Sequence, residues 1–358
     1  MKILIDIGHP AHVHYFRNFI KIMKRNGHEF RIIARDKEIV HYLLSKYNLI
    51  YFSRGKGSKS FIGKILYLLK GDFILLKNTF NYKPDVVLSF ASPYAAHASK
   101  LLNIPHITLD DTEHAKFGQM LYVPFSKVIL TPKNFRKNFG EKQIYFNGNM
   151  DLTYLHKNYF KPDPEVLSNL ALEKNEKLIF IRFVAWEANH DIGYNKLNLN
   201  EKIKLVEELS HYGKIIISSE SKLPEKLDKY KTNFPLEKVH SLLYYTDIFI
   251  GDSTSMATEA AILGTPAICI NEAATQFGVF EDYIKFNLIE LLTNSNKVIE
   301  RTKTLLNLPN NISFFSERLK NFLNNKIDVT AFMVWFVENY PDSFTTMKEN
   351  PDYQYNFK

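Results

Sequence analysis

The sequence predicts an α/β protein of two doubly wound, parallel-sheet domains. Three observations predict it. Short apolar runs alternate with helix-length runs, the pattern of strand–helix–strand units that pair in parallel through right-handed crossovers. Midway, the segment "KNYFKPDPEVL" breaks the alternation, with Pro162 and Pro164 flanking Asp163, and the alternation then restarts. Finally, 358 residues exceed the usual size of a single core. The boundaries read from these signals are 1–160, 161–330 and a last helix and tail over 331–358, which is free to return to the first domain.

The elements follow in order. Lys2 to Ile7 is an apolar strand ending in "GHPAHVHYF", followed by a helix from Phe16 to Arg25 that Asn26-Gly27 stops. Phe30 to Ala34 is a strand and Ile39 to Tyr47 a helix. "KPDVVLSF" gives a strand opened by Pro84, and "ASPYAAHASKLLN" the helix after it. "IPHITLD", "SKVILTP" and "KQIYFNGN" are further strands. "RGKGSKSFIGK", residues 54–64, reads as a loop, with contact to a lipid-bearing molecule as the other reading. In the second half, "KLIFIRF" is a strand, 200–213 an amphipathic helix stopped by Gly213, and "KIIISSE" a strand. "LEKVHSLLYYT" is a helix, "DIFIG" a strand, Ser253 onward a helix and "PAICIN" a strand. "VTAFMVWFVENY" is the final helix.

Composition narrows the function classes. The hydrophobic fraction of 45% suits a globular protein, and no apolar run reaches the ~20 residues of a membrane span. The start of the chain lacks the charged, apolar and small-residue regions of a signal peptide. One cysteine, Cys269, cannot form an internal disulfide, which fits a reducing cytoplasm. The net charge of +8 is spread over scattered lysines, with no block typical of nucleic-acid binding. That excess suits a solvated surface, anionic phosphates, or peripheral contact with the inner face of a membrane.

Doubly wound domains place ligands at the carboxyl ends of their strands, and here at a cleft between two such domains. The richest strand end is "GDSTSMATEAAILGTP", residues 251–266. One oxygen from Asp252, Ser253, Thr254 or Ser255 suffices to cap the helix. The remaining hydroxyls are then either solvated or, with the open amides and the positive end of the helix dipole, hold a diphosphate. Glu259 is no capping-box partner; it shares a face with Ser255 and Ile262, among alanines. With no cationic neighbour in sequence it needs donors from elsewhere, which two adjacent ribose hydroxyls supply. Arg182, ending the first strand of the second domain, is placed to neutralise a diphosphate or is a surface arginine. Trp186, Glu187 and His190 in "VAWEANHD" are weaker candidates for contact with base or sugar.

In the first domain, His9, His12 and His14 crowd one loop. Without a cysteine nearby, and with Asp6 pointing along a strand, a metal is disfavoured, so no metal site is assigned. A histidine near neutrality can instead take a proton from an acceptor hydroxyl, which makes His9 and His12 candidate bases. "LDDTEH" concentrates Asp110, Asp111, Glu113 and His114. Crowded carboxylates raise one another's pKa, so one can act as base at neutral pH; the other reading is a solvated acidic turn.

The segment "HSLLYYTDIFIGDSTSMATEAAILGTPAI" resembles the donor-site segment of the GT-B glycosyltransferase superfamily. The chain resembles an uncharacterised prokaryotic group, the domain of unknown function numbered 354. The resemblance implies the two-domain fold of the non-hydrolysing UDP-N-acetylglucosamine 2-epimerases. "ILIDIGHPAHVHYF", "PDVVLSF", "IPHITLDD" and "GNMD" extend the likeness over most of the chain. The resemblance implies that Glu259 binds the ribose of a nucleotide sugar, that Asp252 to Ser255 contact its diphosphate, and that His240 lies near the nucleotide. It also implies a base at His9 or His12, and puts Asp110 where the epimerases carry a catalytic glutamate. The epimerase aspartate within Gly-Asp-Thr is replaced by Ala91-Ser92-Pro93, and the His-Arg loop by "RFVAWEANHD". Losing two acid/base groups favours a transferase over an epimerase. The expectation is a cytoplasmic, metal- and cofactor-independent GT-B glycosyltransferase with a UDP-sugar donor and a surface-polysaccharide or lipid-linked acceptor. Sugar-nucleotide epimerisation or hydrolysis is the alternative, and a non-catalytic nucleotide-sugar-binding partner of a larger assembly a third reading.

Overall fold

A computed structural model describes the chain except at residues 59, 185–196, 220–221, 232–233 and 309–310. The chain divides into two compact units, Met1–Tyr159 with Lys326–Lys358, and Phe160–Asn325.

The first unit is a seven-stranded, all-parallel sheet with strand order β3-β2-β1-β4-β5-β6-β7. Its elements run β1 (Lys2–Ile7), α1 (Pro10–Arg25), β2 (Glu29–Ala34), α2 (Glu38–Lys46), β3 (Tyr51–Ser53) and α3 (Phe61–Tyr82). Then come β4 (Val86–Phe90), α4 (Pro93–Leu101), β5 (His106–Leu109), α5 (Lys116–Tyr122), β6 (Val128–Pro132), β7 (Gln143–Phe146) and the short α6 (Leu152–Leu155). The inner strands are buried almost end to end, as helices on both faces of a parallel sheet require. Leu4, Ile33, Val87, Leu75, Ala95 and Ala98 form one core cluster. Gly71 lets α3 approach α4, because a Cβ there would strike the Tyr94 ring.

The sequence reading needs two corrections here. Helix α1 begins at Pro10, not Phe16, since a proline at the first helical position lacks an N–H that would be unpaired anyway. His9 caps it, with Nδ1 accepting from the Ala11 amide at 3.3 Å, so His12 and His14 are helical. Only the start of the stretch 54–64 is loop, because α3 begins at Phe61 behind the cap of Ser60.

The second unit carries a five-stranded parallel sheet, order β12-β11-β10-β8-β9. It runs β8 (Leu178–Phe183), α7 (Leu199–Leu209), β9 (Lys214–Ser219), α8 (Val239–Tyr245), β10 (Ile248–Gly251) and α9 (Thr254–Ile262). β11 (Ala267–Cys269), α10 (Gly278–Lys285), β12 (Ile289–Leu291), α11 (Ser295–Asn307) and α12 (Asn311–Leu323) complete it. Ile179, Ile181, Leu205, Ile217, Ile250 and Ile268 anchor its core.

From Lys326 the chain belongs to the first unit again, as α13 (Val329–Glu338) and α14 (Asp342–Glu349). Asp328 caps α13 and accepts from the Tyr159 hydroxyl and from Asn158 at 2.9 Å. Glu338 accepts from Asn26 at 2.8 Å and lies 2.9 Å from His28, tying α13 to the end of α1. Among the described residues, no helix is long and apolar enough to cross a membrane.

Candidate functional site

Each sheet has one point where the strand order reverses, between β1 and β4 in the first unit and between β8 and β10 in the second. At such points the loops leave in opposite directions and open a crevice at the carboxyl ends of the strands.

In the second unit, Gly251 at the end of β10 lies in register with Arg182 of β8. A Cβ on Gly251 would collide with the Arg182 carbonyl oxygen, so glycine is required for this approach. Asp252 clasps the two strand ends: its amide donates to the Arg182 carbonyl at 3.1 Å, and Oδ1 accepts from the Val184 amide at 2.8 Å. Lys202 Nζ stands 3.9 Å from Oδ2. Burial raises the Asp252 pKa, while the Val184 amide and Lys202 act the other way. A carboxylate so engaged, and itself anionic, shapes the turn rather than grips a diphosphate, which revises the role expected for Asp252.

Ser253 caps α9, accepting from the Met256 amide at 3.4 Å. Thr254 is half-buried and Ser255 exposed at the helix mouth. Arg182 Nη1 donates to Ser218 Oγ at 2.8 Å, which holds the guanidinium beside the end of β9. Glu259 sits in α9 with Oε1 3.1 Å from Nε2 of His240, a buried residue of α8. The donor that Glu259 needed is therefore present in the protein, on the helix that Thr265 Oγ1 ties in place through the Leu243 carbonyl at 2.6 Å. The Glu259 side chain remains 12% exposed, enough for one edge to meet a ligand. Trp186, Glu187 and His190 lie outside the described residues.

In the first unit the switch point holds an ion pair that the sequence reading passed over. Asp6 is buried at the end of β1, with Oδ2 2.8 Å from Arg54 Nη1 and accepting from the Ser92 hydroxyl. Arg54 is equally buried and lies over the Tyr94 ring at 3.9 Å. Burial raises the Asp6 pKa against the pull of Arg54 and Ser92. Among the described residues, Asp6 Oδ1 and Arg54 Nε have no hydrogen-bond partner. Ala91, just before Ser92, is held at φ +48°, a conformation costly for a residue with a Cβ and frequent beside functional sites. Nothing in local sequence flags Arg54, since its partner is 48 residues away.

His12 adjoins this pair. Burial, with His9, Arg54 and Lys37 nearby, holds its pKa far below the usual histidine value, so the ring is neutral. Its Nδ1 accepts from the Gly8 amide at 3.3 Å, leaving the hydrogen on Nε2. That makes His12 a hydrogen-bond donor and revises its expected role as base. His9 is exposed and caps α1 with its ring 5.9 Å from that of His12, while His14 is buried against the Tyr154 ring at 5.2 Å.

Asp110 is also revised. It is buried and accepts from the Thr112 amide at 2.9 Å, from Gln119 Nε2 at 3.0 Å and from the Tyr122 hydroxyl, binding α5 to the end of β5. A carboxylate with three donors is a structural anchor. Asp111, half-buried, differs: burial first, then Asp110 and Asp151, push its carboxyl up to about 8. Asp151, read only as part of "GNMD", is the unforeseen member of this pair. Tyr154 donates to it at 3.2 Å and lies 6.1 Å from Tyr15, which stacks on His12 at 6.0 Å. The acidic pair and the histidine thus share one end of the first sheet.

Two Rossmann-like units, each a parallel sheet with polar groups at its switch point, make this a GT-B fold. The chain belongs to the family described as "Protein of unknown function (DUF354)", which matches residues 1–340. It is 27% identical over 278 residues to the uncharacterized protein MJ0665 of Methanocaldococcus jannaschii, covering 75% of this chain and 81% of that one. Among solved structures it resembles S. aureus MnaA in its co-structure with UDP, with a TM-score of 0.69 and 14% identity over 96% of this chain and 98% of that one. It likewise resembles the spinosyn rhamnosyltransferase SpnG, with a TM-score of 0.58 and 12% identity over 93% of this chain and 98% of that one.

Proposed function

We propose that the protein is a glycosyltransferase that moves a sugar from a UDP-linked donor to a hydroxyl of a surface-polysaccharide or lipid-linked acceptor. The observation that carries this reading is the Glu259–His240 pair in the helices at the β10 strand end, beside the open amide mouth of α9. A carboxylate fixed by one histidine can take two vicinal ribose hydroxyls on its remaining edge. Helix amides, with the hydroxyls of Thr254 and Ser255, suit a diphosphate. Arg182 adds a positive charge near the same strand ends. Together these groups supply the charge stabilisation that the leaving diphosphate needs, so the reading assigns no metal or cofactor.

The base falls to Asp111. Its carboxylate removes the acceptor hydroxyl proton as that oxygen attacks the anomeric carbon; the bond to the diphosphate breaks and UDP leaves with its electron pair. A fold shared with a protein solved with UDP and with a rhamnosyltransferase supports the donor class and the reaction class.

One observation favours the second reading, epimerisation or hydrolysis of the donor alone. The loop after β4 lacks the epimerase aspartate, yet Ser92 brings the Asp6 carboxylate to the same strand end. Arg54 and the Ser92 hydroxyl both hold Oδ2 of that carboxylate, which is why the transferase reading stands first. Incubation with a panel of UDP-sugars, with and without hydroxyl acceptors, tests both. UDP release only with acceptor is the expected result. Conversion of donor alone would move the assignment to the second reading, and failure to bind any nucleotide sugar would remove both.

A further inference from the structure

Helix α3 is apolar on two sides but covered on one. Gly71, Leu75 and Thr79 face the unit and are buried. Phe61, Ile62, Leu66, Leu69, Phe73 and Phe80 are each between 61 and 76% exposed. At ~100° per residue, the last five of these fall within an arc of about 60° and extend for roughly 27 Å along the helix. The stripe continues into a groove of about 510 Å³ lined by Phe73, Leu76, Leu101 and Phe125, with Lys100 at its rim. Apolar stripes of this length rarely stay bare on a protein that functions in water alone.

The charge around the stripe is one-sided. Residues 54–83 contain seven lysines and arginines and one acid, a local net charge of +6 within a chain total of +8. Arg54 is engaged by Asp6, and the single acid, Asp72, by His97 at 3.0 Å. Lys56, Lys64, Lys70, Lys77 and Lys83 are all exposed, and by the same helical spacing Lys70 and Lys77 border the stripe. An apolar face edged by lysines is the chemistry that rests in the headgroup layer of an anionic membrane.

We propose that this face of α3 seats the protein on the surface of an anionic lipid bilayer. The helix lies in the interface, with the phenylalanines and leucines among the acyl-chain ends and the lysines against lipid phosphates. A second copy of the chain is a poorer occupant, because a two-fold contact through this stripe would set the lysines of one copy against those of the other. The proposal rests on the surface of α3 and uses none of the residues assigned to sugar transfer.

The test is co-sedimentation of the full chain with phosphatidylcholine vesicles, plain or enriched in phosphatidylglycerol, alongside Leu66→Glu/Phe73→Glu and Lys70→Glu/Lys77→Glu. The expected result is binding to the anionic vesicles only, weakened roughly ten-fold by high salt and by either double variant. Unchanged melting temperatures would show that both variants fold, since the substituted side chains are exposed. Absence of vesicle binding, or equal binding by the variants, overturns the proposal. So does a wild-type dimer in light scattering that the Leu66→Glu/Phe73→Glu variant dissociates.

Discussion

The strand ends of the two units are furnished differently. At the first, charge is buried and answered inside the protein: Asp6 by Arg54 and Ser92, and Asp110 by Thr112, Gln119 and Tyr122. Burial raises the proton affinity of Asp6, Asp110 and Asp111 alike, and Asp111, with Asp110 and Asp151 nearby, reaches about 8. At the second, the polar groups are hydroxyls, amides and a histidine-fixed carboxylate at a helix mouth. The contrast teaches a division of labour. Under the proposed function, the raised carboxyl of Asp111 serves proton transfer, whereas the open donors of the second site hold an anion.

The largest expected effect falls on the first site. Asp111→Asn should lower turnover by roughly 10²–10⁴ with nucleotide affinity almost unchanged, as steady-state kinetics and titration calorimetry would read. The pH dependence carries a definite sign. A base must be deprotonated, so wild-type turnover should climb through about pH 8 and then level. The folded protein keeps the Asp111 proton up to about 8, whereas the unfolded chain releases it near 3.8, so stability falls as pH rises between them. Asp111→Asn removes that loss and should raise the melting temperature at neutral pH. A variant that is both slower and less stable would contradict this account.

Next comes Arg54→Met, which strands Asp6 without its cation and should cost about 3–5 kcal/mol in urea unfolding. The loss should be greater in alkaline than in mildly acidic buffer, because an isolated buried carboxylate folds more readily when protonated. A loss no larger than that of an exposed substitution would show that the pair is not what closes the first switch point. At the second site, Glu259→Ala should weaken UDP binding by roughly 10–100-fold. If calorimetry finds the affinity unaltered, the ribose assignment is lost. The smallest effect is Tyr122→Phe, expected to cost about 1 kcal/mol with turnover per folded molecule preserved. A collapse in turnover there would return Asp110 to the chemistry.

Much of this is legible because parallel strands buried on both faces are mostly apolar, and β1, β4, β8 and β10 are apolar apart from Lys2, Asp6, Ser89 and Arg182. The second site was legible for a related reason: its hydroxyls, Glu259 and His240 fall within one short stretch of chain. The first site was not. Asp6 finds Arg54 across the β3–β2–β1 side of the sheet and Ser92 across the β1–β4 pairing, at separations of 48 and 86 residues. Asp111 and Asp151 meet only because β5 and β7 end on the same edge of the sheet. For His12 and Asp110, residue type says what a group can do, whereas the Gly8, Thr112, Gln119 and Tyr122 donors engage the atoms that would do it. Helix α3 carries Gly63 and Gly71 in its run, and the ring of Tyr94 is packed against the second of them.

The first unit is assembled from two pieces of chain, Met1–Tyr159 and Lys326–Lys358, with the whole of the second unit between them. On a ribosome, the second unit therefore emerges in full while the first still lacks α13. Until those closing helices arrive, the nascent first unit exposes the flank of α1 that α13 covers. A shortened transcript would release a chain with a finished tail half and an unfinished head.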